Sequence, residues 1–307
     1  MLVTSKELRE ITYSIFQKLT YQEYAEILAD ELVESNVMGH DDHGVQLIPY
    51  YVRAARGEQI DIGGQKIPPI CPKRIPEINR QGFLVRIDGM MTFGQVVLRK
   101  SAEQNGDILV FIGRNVSHLG RLSSFTVRMA KKGYVSIMMA RSPPLMSLPG
   151  MKRRVLGNNP ISISFPDCPV YIDTSLSNAS WGKIFSSILK GETIEEGLLL
   201  DAEGKPTTDP MELLKGGSLT PIGAYKGFNL ALAVEMLMSY FSLENDFNPF
   251  FAISIKQDLL GKSNFQEILS RIPETDSYRL PGSQGPKDTI EIPESLWNEL
   301  TKIYDSL

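Results

Sequence analysis

The sequence has little cysteine: Cys71 and Cys168 are the two in 307 residues. They lack C-x-x-C spacing, and two isolated cysteines build neither a disulfide framework nor a zinc knuckle. The chain also lacks the apolar run of about 18 residues that a membrane span needs, and its amino terminus lacks a charged-then-apolar signal. We therefore expect a cytoplasmic protein.

The sequence also lacks an excess of positive charge. It has 32 lysines and arginines against 36 aspartates and glutamates, which gives a formal net charge of −4. Such a chain has no general attraction to nucleic acid or to an anionic membrane, so local groups must hold any anionic ligand. We expect a small-molecule substrate and no nucleic-acid or membrane partner.

Three widespread motifs are absent. No G-x-G-x-x-G follows a predicted strand, so the sequence does not support a Rossmann dinucleotide site. The P-loop pattern G-x-x-x-x-G-K-[ST] and the nucleophile elbow G-x-S-x-G are missing as well. These absences argue against P-loop nucleotide binding and against serine hydrolysis of the α/β-hydrolase type.

The elements that are present predict an α/β fold. Capping boxes at Thr4–Glu7 and Thr20–Glu23 predict two helices at the start of the chain. From residue 82 onward, strand patterns at 83–87, 108–112 and 135–140 alternate with helix patterns at 94–104 and 121–132. This order predicts helices packed on a sheet. Residues 226–241 are apolar all round, which predicts a buried helix.

His118, one of three histidines in the chain, lies between the predicted strand 108–112 and the predicted helix 121–132. Ser117 is a good N-cap residue, which places His118 at a helix N-terminus, where backbone N–H groups favour anions. A neutral imidazole there could exchange protons near pH 7. The alternative is a histidine that only caps or hydrogen-bonds its own turn.

The other two histidines flank two carboxylates in the segment His40-Asp41-Asp42-His43. Adjacent side chains diverge and no other histidine-rich cluster completes a coordination shell, so we predict no metal site. The alternative is a helix entry with Asp41 or Asp42 as the N-cap. Lys226, which opens the apolar helix, is either a solvated cap or a phosphate ligand.

Several ordered segments together carry a family resemblance. They are Asp42-His-Gly-Val45, Asn115-Val-Ser-His-Leu-Gly120, Gly157-Asn-Asn-Pro160, Asp173 through Lys183, Thr207 through Pro210, Ala224-Tyr-Lys-Gly227 and Pro281-Gly-Ser283. In this order they resemble the malate/L-lactate dehydrogenase family of the non-Rossmann type, which includes ureidoglycolate, sulfolactate and cyclic-imine carboxylate reductases. The similarity runs from about residue 21 to residue 285.

The resemblance implies a non-Rossmann NAD(P)-binding fold with a mainly antiparallel sheet flanked by helices. It implies a smaller helical domain, residues 1–80 joined by a terminal helix at 288–307, beside a catalytic domain at 81–287. It also implies a homodimer that uses NAD or NADP. The expected reaction is hydride transfer between nicotinamide and a small 2-oxo or 2-hydroxy acid or a cyclic imine carboxylate.

Carried over position by position, the resemblance makes His118 the general acid/base and His43 a second histidine on the substrate or nicotinamide side. The remaining matched positions are expected to contact the cofactor. They are Ser142, Asn159, Asp173, Thr174, Ser175, Lys226, Pro281, Gly282 and Ser283.

Three positions depart from the family pattern. Leu47 stands where an arginine usually binds the substrate carboxylate, and Ser283 replaces an acidic residue. Arg121 is our candidate for the replacement cation, with Arg141 as second choice. Asp42 replaces a serine, so that it either suits a cationic substrate or caps the helix entry.

These departures, with a shortened segment before Ile255, leave a second hypothesis open. In that hypothesis the chain is a paralogue that has lost catalysis and acts as a ligand-binding or assembly protein.

Overall fold

The structure, a computed structural model, describes residues 1–62, 64–243, 246–273, 275, 280–282 and 287–307. Short 3-10 turns occupy Asp41–His43, Val45–Leu47 and Pro210–Lys215. The α-helices of the described residues are α1 (Ser5–Gln17), α2 (Gln22–Val37), α3 (Ile48–Ala55), α4 (Gly94–Ser101), α5 (Ser123–Lys131), α6 (Trp181–Lys190), α7 (Tyr225–Ser239), α8 (Gln257–Leu260), α9 (Phe265–Ser270) and α10 (Glu294–Ser306).

The strands form one large sheet and three small ones. They are β1 (Leu2–Thr4), β2 (Ile60–Ile62), β3 (Gln65–Ile67), β4 (Glu77–Gln81), β5 (Leu84–Asp88), β6 (Ile108–Arg114), β7 (Tyr134–Ala140), β8 (Ile161–Ser164), β9 (Tyr171–Thr174), β10 (Leu199–Leu200), β11 (Pro206–Thr207), β12 (Ser218–Leu219), β13 (Phe250–Lys256) and β14 (Thr289–Glu291).

The large sheet has seven strands in the order β4-β5-β6-β13-β7-β8-β9. β5 and β6 run parallel, whereas every other neighbouring pair is antiparallel. β13 comes late in the chain but lies between β6 and β7, with Ala252 opposite Phe111 on one side and Met138 on the other. α5 packs against β7 and β8. The expected mainly antiparallel sheet flanked by helices is confirmed.

The helices at the two ends of the chain share one buried core. Leu8 of α1, Leu28 of α2, Tyr51 of α3 and Leu300 of α10 are all fully buried in it. β1 pairs with β14, so both ends of the chain are fixed at this core. Phe93, just before α4, belongs to the same cluster. The boundaries expected for two domains, 1–80 with 288–307 and 81–287, stay a prediction.

The first of the two predicted capping boxes is confirmed. The Thr4 hydroxyl accepts a hydrogen bond from the Glu7 N–H (3.2 Å), and the Glu7 carboxylate accepts one from the Thr4 N–H (2.9 Å). The second prediction is wrong, because Tyr21 precedes α2 and the Thr20 hydroxyl donates to the carbonyl of Pro72 instead. A tertiary contact has taken the side chain that the local pattern assigned to the cap.

The apolar helix α7 is less buried than we predicted. Leu230 and Met236 are 51% and 59% exposed, whereas Ala231, Val234 and Met238 pack into a core. The prediction that this helix is buried all round is therefore wrong for the single chain. Within the described part of the chain, no helix combines the length and apolar character needed to cross a membrane.

Candidate active site

All three histidines of the chain lie near one another, where the end of α2, the start of α3 and the loop after β6 meet. The rings of His43 and His118 stack, with centroids 5.7 Å apart and planes inclined by 22°. His40 lies close to this pair: burial and then the positive charge of Arg121 lower its pKa. The sequence segments 40–43 and 115–120, predicted separately, thus form one site.

The loop that carries His118 is longer than predicted. α5 begins at Ser123 rather than at residue 121, and Ser117 does not cap it. The Ser117 hydroxyl instead accepts a hydrogen bond from the N–H of Gly94 (3.0 Å), at the start of α4. The predictions that Ser117 caps α5 and that His118 lies at the α5 N-terminus are therefore wrong.

His118 forms a hydrogen bond with Tyr51 of α3, which is distant in sequence. Its Nδ1 lies 2.8 Å from the Tyr51 hydroxyl, which in turn accepts a hydrogen bond from the Gln95 amide (2.5 Å). Because Gln95 donates to this hydroxyl, the Tyr51 O–H is directed at Nδ1, and the neutral ring carries its proton on Nε2. Burial and then the charge of His43 lower the pKa of His118 to about 3. His118 is therefore neutral at physiological pH, and it does more than hydrogen-bond its own turn.

Asp42 holds the second histidine. Nδ1 of His43 lies 3.0 Å from Oδ1 of Asp42, and Oδ2 accepts a hydrogen bond from the Ser180 hydroxyl (2.7 Å). Burial opposes a charge on His43, but the hydrogen bond and the attraction to Asp42 outweigh it and raise the pKa of His43. Burial opposes the charge on Asp42 too, but its bonds to His43 and Ser180 hold its pKa far below the ordinary value.

The contacts of Asp42 decide one of the two roles that the sequence left open. Its carboxylate oxygens contact His43 and Ser180 and form no cap at the helix entry, so the cap prediction is wrong. Asn36 binds the turn instead, since its Oδ1 accepts from the Val45 N–H (2.9 Å). The fit of Asp42 to a cationic substrate stays a prediction. In the described residues, no group of three or more histidine, cysteine or acidic side chains is arranged to hold a metal ion.

Arg121 lies beside the histidines but is already engaged. It is 9% exposed, its Nε donates to the Ser35 hydroxyl (2.9 Å), and its Nη2 lies 3.5 Å from the Glu34 carboxylate. Its charge reaches the site, because it lowers the pKa of His40 and opposes the protonation of His43. Arg121 therefore adds positive charge at the edge of the site.

Arg141 and Leu47 have other partners. Arg141 donates to the carbonyls of Leu243 (3.3 Å) and Asp246 (2.8 Å), and its Nε lies 3.7 Å from the Glu235 carboxylate. Leu47 packs against the helical core. These contacts favour Arg121 over Arg141 as the cation nearest to the histidines.

A cavity of about 190 Å³ lies beside the N-terminus of α5, and its walls include Arg121, Ser123, Arg128, Lys131 and Tyr171. Two buried polar atoms of these walls, Ser123 Oγ and Arg128 Nε, have no hydrogen-bond partner among the described residues. A hydroxyl and a guanidinium N–H beside a helix N-terminus are suited to an anionic oxygen, above all that of a phosphate.

Two of the predicted cofactor segments border this cavity. The Asp173 carboxylate accepts a hydrogen bond from the N–H of Ser123 (2.8 Å). Gly282, next to Pro281, lies against Tyr171, because a Cβ on Gly282 would be 2.6 Å from the Tyr171 ring. The third residue of that segment, Ser283, lies outside the described residues.

The other predicted cofactor residues lie elsewhere, and none of them lines this cavity. Asn159 is fully buried: its Oδ1 accepts from the Ser142 N–H (3.1 Å), and its Nδ2 donates to α7. The Thr174 hydroxyl donates to the carbonyl of Ser175 (3.0 Å), and Lys226 is exposed in the first turn of α7. Asn159 thus holds Ser142 in position rather than facing a ligand itself.

The sequence reasoning missed three residues of the site: Tyr51, Gln95 and Ser180. Tyr51 occupies the apolar face of α3, and a tyrosine there needs a buried hydrogen-bond partner, which was the available signal. Gln95 is a buried amide in the first turn of α4. Ser180 caps α6 and also donates to Asp42; the cap was readable from sequence, but the second contact was not.

The fold and the stacked histidines define a non-Rossmann α/β enzyme with a site suited to proton transfer. The chain belongs to the malate/L-lactate dehydrogenase family, whose model matches residues 3–252. It is accordingly an oxidoreductase of the dehydrogenase class.

Relatives match over most of their length. The chain is 30% identical to the L-sulfolactate dehydrogenase of Methanocaldococcus jannaschii, over 93% of this chain and 91% of the relative. It is 32% identical to the malate/(S)-sulfolactate dehydrogenase of Methanothermus fervidus, over 100% and 98%. It is 27% identical to the (2R)-3-sulfolactate dehydrogenase (NADP(+)) of Chromohalobacter salexigens, over 90% of each.

Solved structures share the fold. A dehydrogenase from Sinorhizobium meliloti superposes with a TM-score of 0.86 at 22% identity, over 99% of this chain and 98% of that one. The Δ1-piperideine-2-carboxylate reductase of Pseudomonas syringae superposes with a TM-score of 0.81 at 23% identity, over 99% of both chains. At these identities the likeness shows the fold alone.

Proposed function

We propose that the chain is an NAD(P)-dependent oxidoreductase that transfers a hydride between nicotinamide and a small 2-oxo or 2-hydroxy acid or a cyclic imine carboxylate. The observation that carries the proposal is the stacked His43–His118 pair, because hydride transfer to C=O or C=N needs a proton donor beside the atom that gains charge. The relatives' names, sulfolactate and malate dehydrogenase, support an acid substrate. The acid/base role of His118 remains a prediction from the sequence.

We propose that the α5 cavity holds a phosphate group of the cofactor. Ser123 Oγ and Arg128 Nε are buried donors without a partner among the described residues, and Lys131 adds positive charge on the same wall. The bound cofactor would supply the hydride, while the protein supplies position and charge. Both NAD and NADP fit this donor set. The cofactor roles of Asp173, Ser142, Thr174, Ser175, Lys226, Pro281 and Gly282 stay predictions.

We propose Arg121 as the group that attracts the substrate carboxylate. The positive charge of Arg121 acts to lower the pKa values of His40 and His43, whereas Arg141 donates hydrogen bonds to backbone carbonyls. Arg121→Leu should raise KM for an anionic substrate, and it should also weaken cofactor binding because Arg121 lines the α5 cavity. An unchanged KM would remove Arg121 from this role.

The decisive experiment is a thermal-shift titration with NADH and with NADPH. A cofactor at about 100 times its Kd stabilises the native state by about 2.7 kcal/mol, which is a rise of several degrees in Tm. Lys131→Gln should weaken the shift, whereas Lys152→Gln, an exposed lysine paired with Glu203, should not. If neither cofactor raises Tm, the proposal fails and a catalytically impaired paralogue is the better description.

Turnover is then measured with a panel of 2-oxo acids and cyclic imine carboxylates. His118→Asn should lower turnover about 10²–10⁴-fold if the His43–His118 pair is the reacting centre. Cofactor-induced stabilisation should persist in that variant. Full turnover in His118→Asn would exclude this ring from the reaction.

We propose that the chain forms a homodimer through α7. Leu230 and Met236 expose apolar surface on this helix, and monomeric proteins rarely leave a contiguous apolar face uncovered. Met236→Glu should lower the sedimenting mass, whereas Leu259→Glu, an equally exposed leucine on α8, should not. A wild-type monomer at micromolar concentration would contradict the proposal.

The free thiols of Cys71 and Cys168 support a cytoplasmic location.

A further inference from the structure

We propose that the α5 cavity binds the 2′-phosphate of NADP, so that the enzyme uses NADPH in preference to NADH. This inference rests on the proposed function, in which a phosphate group of the cofactor occupies the cavity. The donors alone suit either cofactor. The charge of the walls, the bonded N–H groups of α5 and a neighbouring cavity favour a phosphate that is attached to the cofactor by a single ester bond.

The first support is the charge of the walls. Arg121, Arg128 and Lys131 bring three positive charges to the cavity and Glu34 brings one negative charge, which leaves a net charge of +2. A phosphate monoester carries about −1.5 to −2 at pH 7. Each phosphate of the cofactor's pyrophosphate has two linkages and carries a single negative charge. The walls therefore match a monoester better than a phosphate of the pyrophosphate.

The second support is the way in which Arg128 is held. Its Nη2 donates to the buried carboxylate of Glu31 (2.7 Å), which also accepts from Arg99 of α4 (2.8 Å). Because two guanidinium groups share one carboxylate, Glu31 fixes Arg128 without cancelling all of the positive charge. The Nε of Arg128 is buried and has no partner among the described residues. A fixed guanidinium with an unbonded N–H is suited to a phosphate oxygen.

The third support is that the first N–H groups of α5 are already bonded. The N–H of Ser123 donates to the Asp173 carboxylate (2.8 Å). Those of Ser124 and Phe125 donate to carbonyls of the preceding turn (3.2 and 3.0 Å). A pyrophosphate at a helix N-terminus depends on such N–H groups. In this cavity side chains must bind the anion, among them the buried Ser123 hydroxyl, which has no partner in the described part of the chain.

A larger cavity next to the α5 cavity leaves room for the nucleoside. Its volume is about 560 Å³, which is within the range of small-molecule sites, and it shares Val127, Lys131 and Tyr171 with the α5 cavity. Phe165 and Pro169, between β8 and β9, add apolar walls that suit a planar base. A nucleoside joined to a phosphate in the α5 cavity would extend past Lys131 and Tyr171 into this space.

The test is the Kd of NADPH and of NADH for the wild type, measured by isothermal titration calorimetry. NADPH should bind at least about tenfold more tightly, because the two cofactors differ by the 2′-phosphate alone. Equal affinities, or tighter binding of NADH, would overturn the inference. Turnover with NADH in that case would leave the proposed function in place. Binding of neither cofactor would contradict both.

Arg128→Gln and its matched control Arg99→Gln separate the cavity from the ion pair. Both arginines bind Glu31, but Arg128 lines the cavity and Arg99 does not. Arg128→Gln should weaken NADPH binding about tenfold or more and change NADH binding less than about twofold. Arg99→Gln should keep the wild-type ratio of the two affinities. If both variants lower that ratio equally, the cavity does not select the cofactor.

Two fragments of the cofactor test the 2′-phosphate on the unmodified protein. Adenosine 2′,5′-bisphosphate and adenosine 5′-monophosphate differ by this group alone. The bisphosphate should displace NADPH at a concentration at least about tenfold lower than the monophosphate. Displacement by both at the same concentration would show that the 2′-phosphate is not recognised, and would overturn the inference.

Discussion

His118 should make the protein sensitive to mild acid. Its pKa is about 3 in the folded chain against 6.5 for the free side chain, because it is buried beside His43. Between these values the unfolded chain binds a proton that the folded chain does not, so stability falls as pH drops below 6.5. From pH 7 to pH 5 the span is about 1.5 pH units, which at 1.36 kcal/mol per unit is about 2 kcal/mol.

The assay is urea unfolding of the wild type and of His118→Asn at pH 7 and pH 5. Other groups titrate equally in both proteins, so the wild type should lose about 2 kcal/mol more than the variant over this interval. Between pH 8 and pH 7 the two proteins should change alike. If the loss from pH 7 to pH 5 is equal in both, His118 is not held neutral, and the contrast between the two rings is wrong.

Three further substitutions test other parts of the structure. Glu31→Gln should cost about 3 kcal/mol in urea unfolding, because this buried carboxylate pairs with guanidinium groups of α4 and α5 at 2.8 and 2.7 Å. Asp30→Asn, at a half-buried neighbour that pairs with Arg9, should cost less than about 1 kcal/mol. Gly94→Ala should lower turnover about 10²-fold without unfolding, since its Cβ would lie 2.3 Å from the His118 carbonyl oxygen; unchanged kcat would contradict that close approach. Thr4→Ala should lower the free energy of unfolding by about 1 kcal/mol, because the α1 N-cap is lost. An unaltered Tm would argue against the cap.

The sequence correctly predicted the helices, strands and caps whose formation depends mainly on residues close in sequence. The Thr4–Glu7 cap, the strands near 108–112 and 135–140 and the helix near 123–131 depend on neighbours in sequence, and each is present within a few residues of its predicted bounds. The two wrong cap predictions, at Thr20 and Ser117, have one cause. The hydroxyls of Thr20 and Ser117 were predicted to cap local helices, but they form hydrogen bonds with Pro72 and Gly94, which are distant in sequence. A local cap prediction fails where a tertiary partner binds the same hydroxyl.

The candidate site divides in the same way. Ordered motifs singled out His43, His118 and Asp42, and the structure brings them together. The role of Asp42 was not readable, because its second partner, Ser180, lies 138 residues further along the chain. The exposed face of α7 was missed for another reason: an apolar sequence pattern does not say which face of a helix the rest of the chain covers.

The place of β13 in the large sheet has a consequence for biosynthesis. Until residues 250–256 leave the ribosome, β6 and β7 cannot acquire the neighbour that joins them, and each presents an open edge. Pairing partners more than a hundred positions apart make closure slow. The nascent chain should therefore depend on chaperones until residues 250–256 have emerged, and a ribosome-bound chain stopped before residue 250 should remain protease-sensitive.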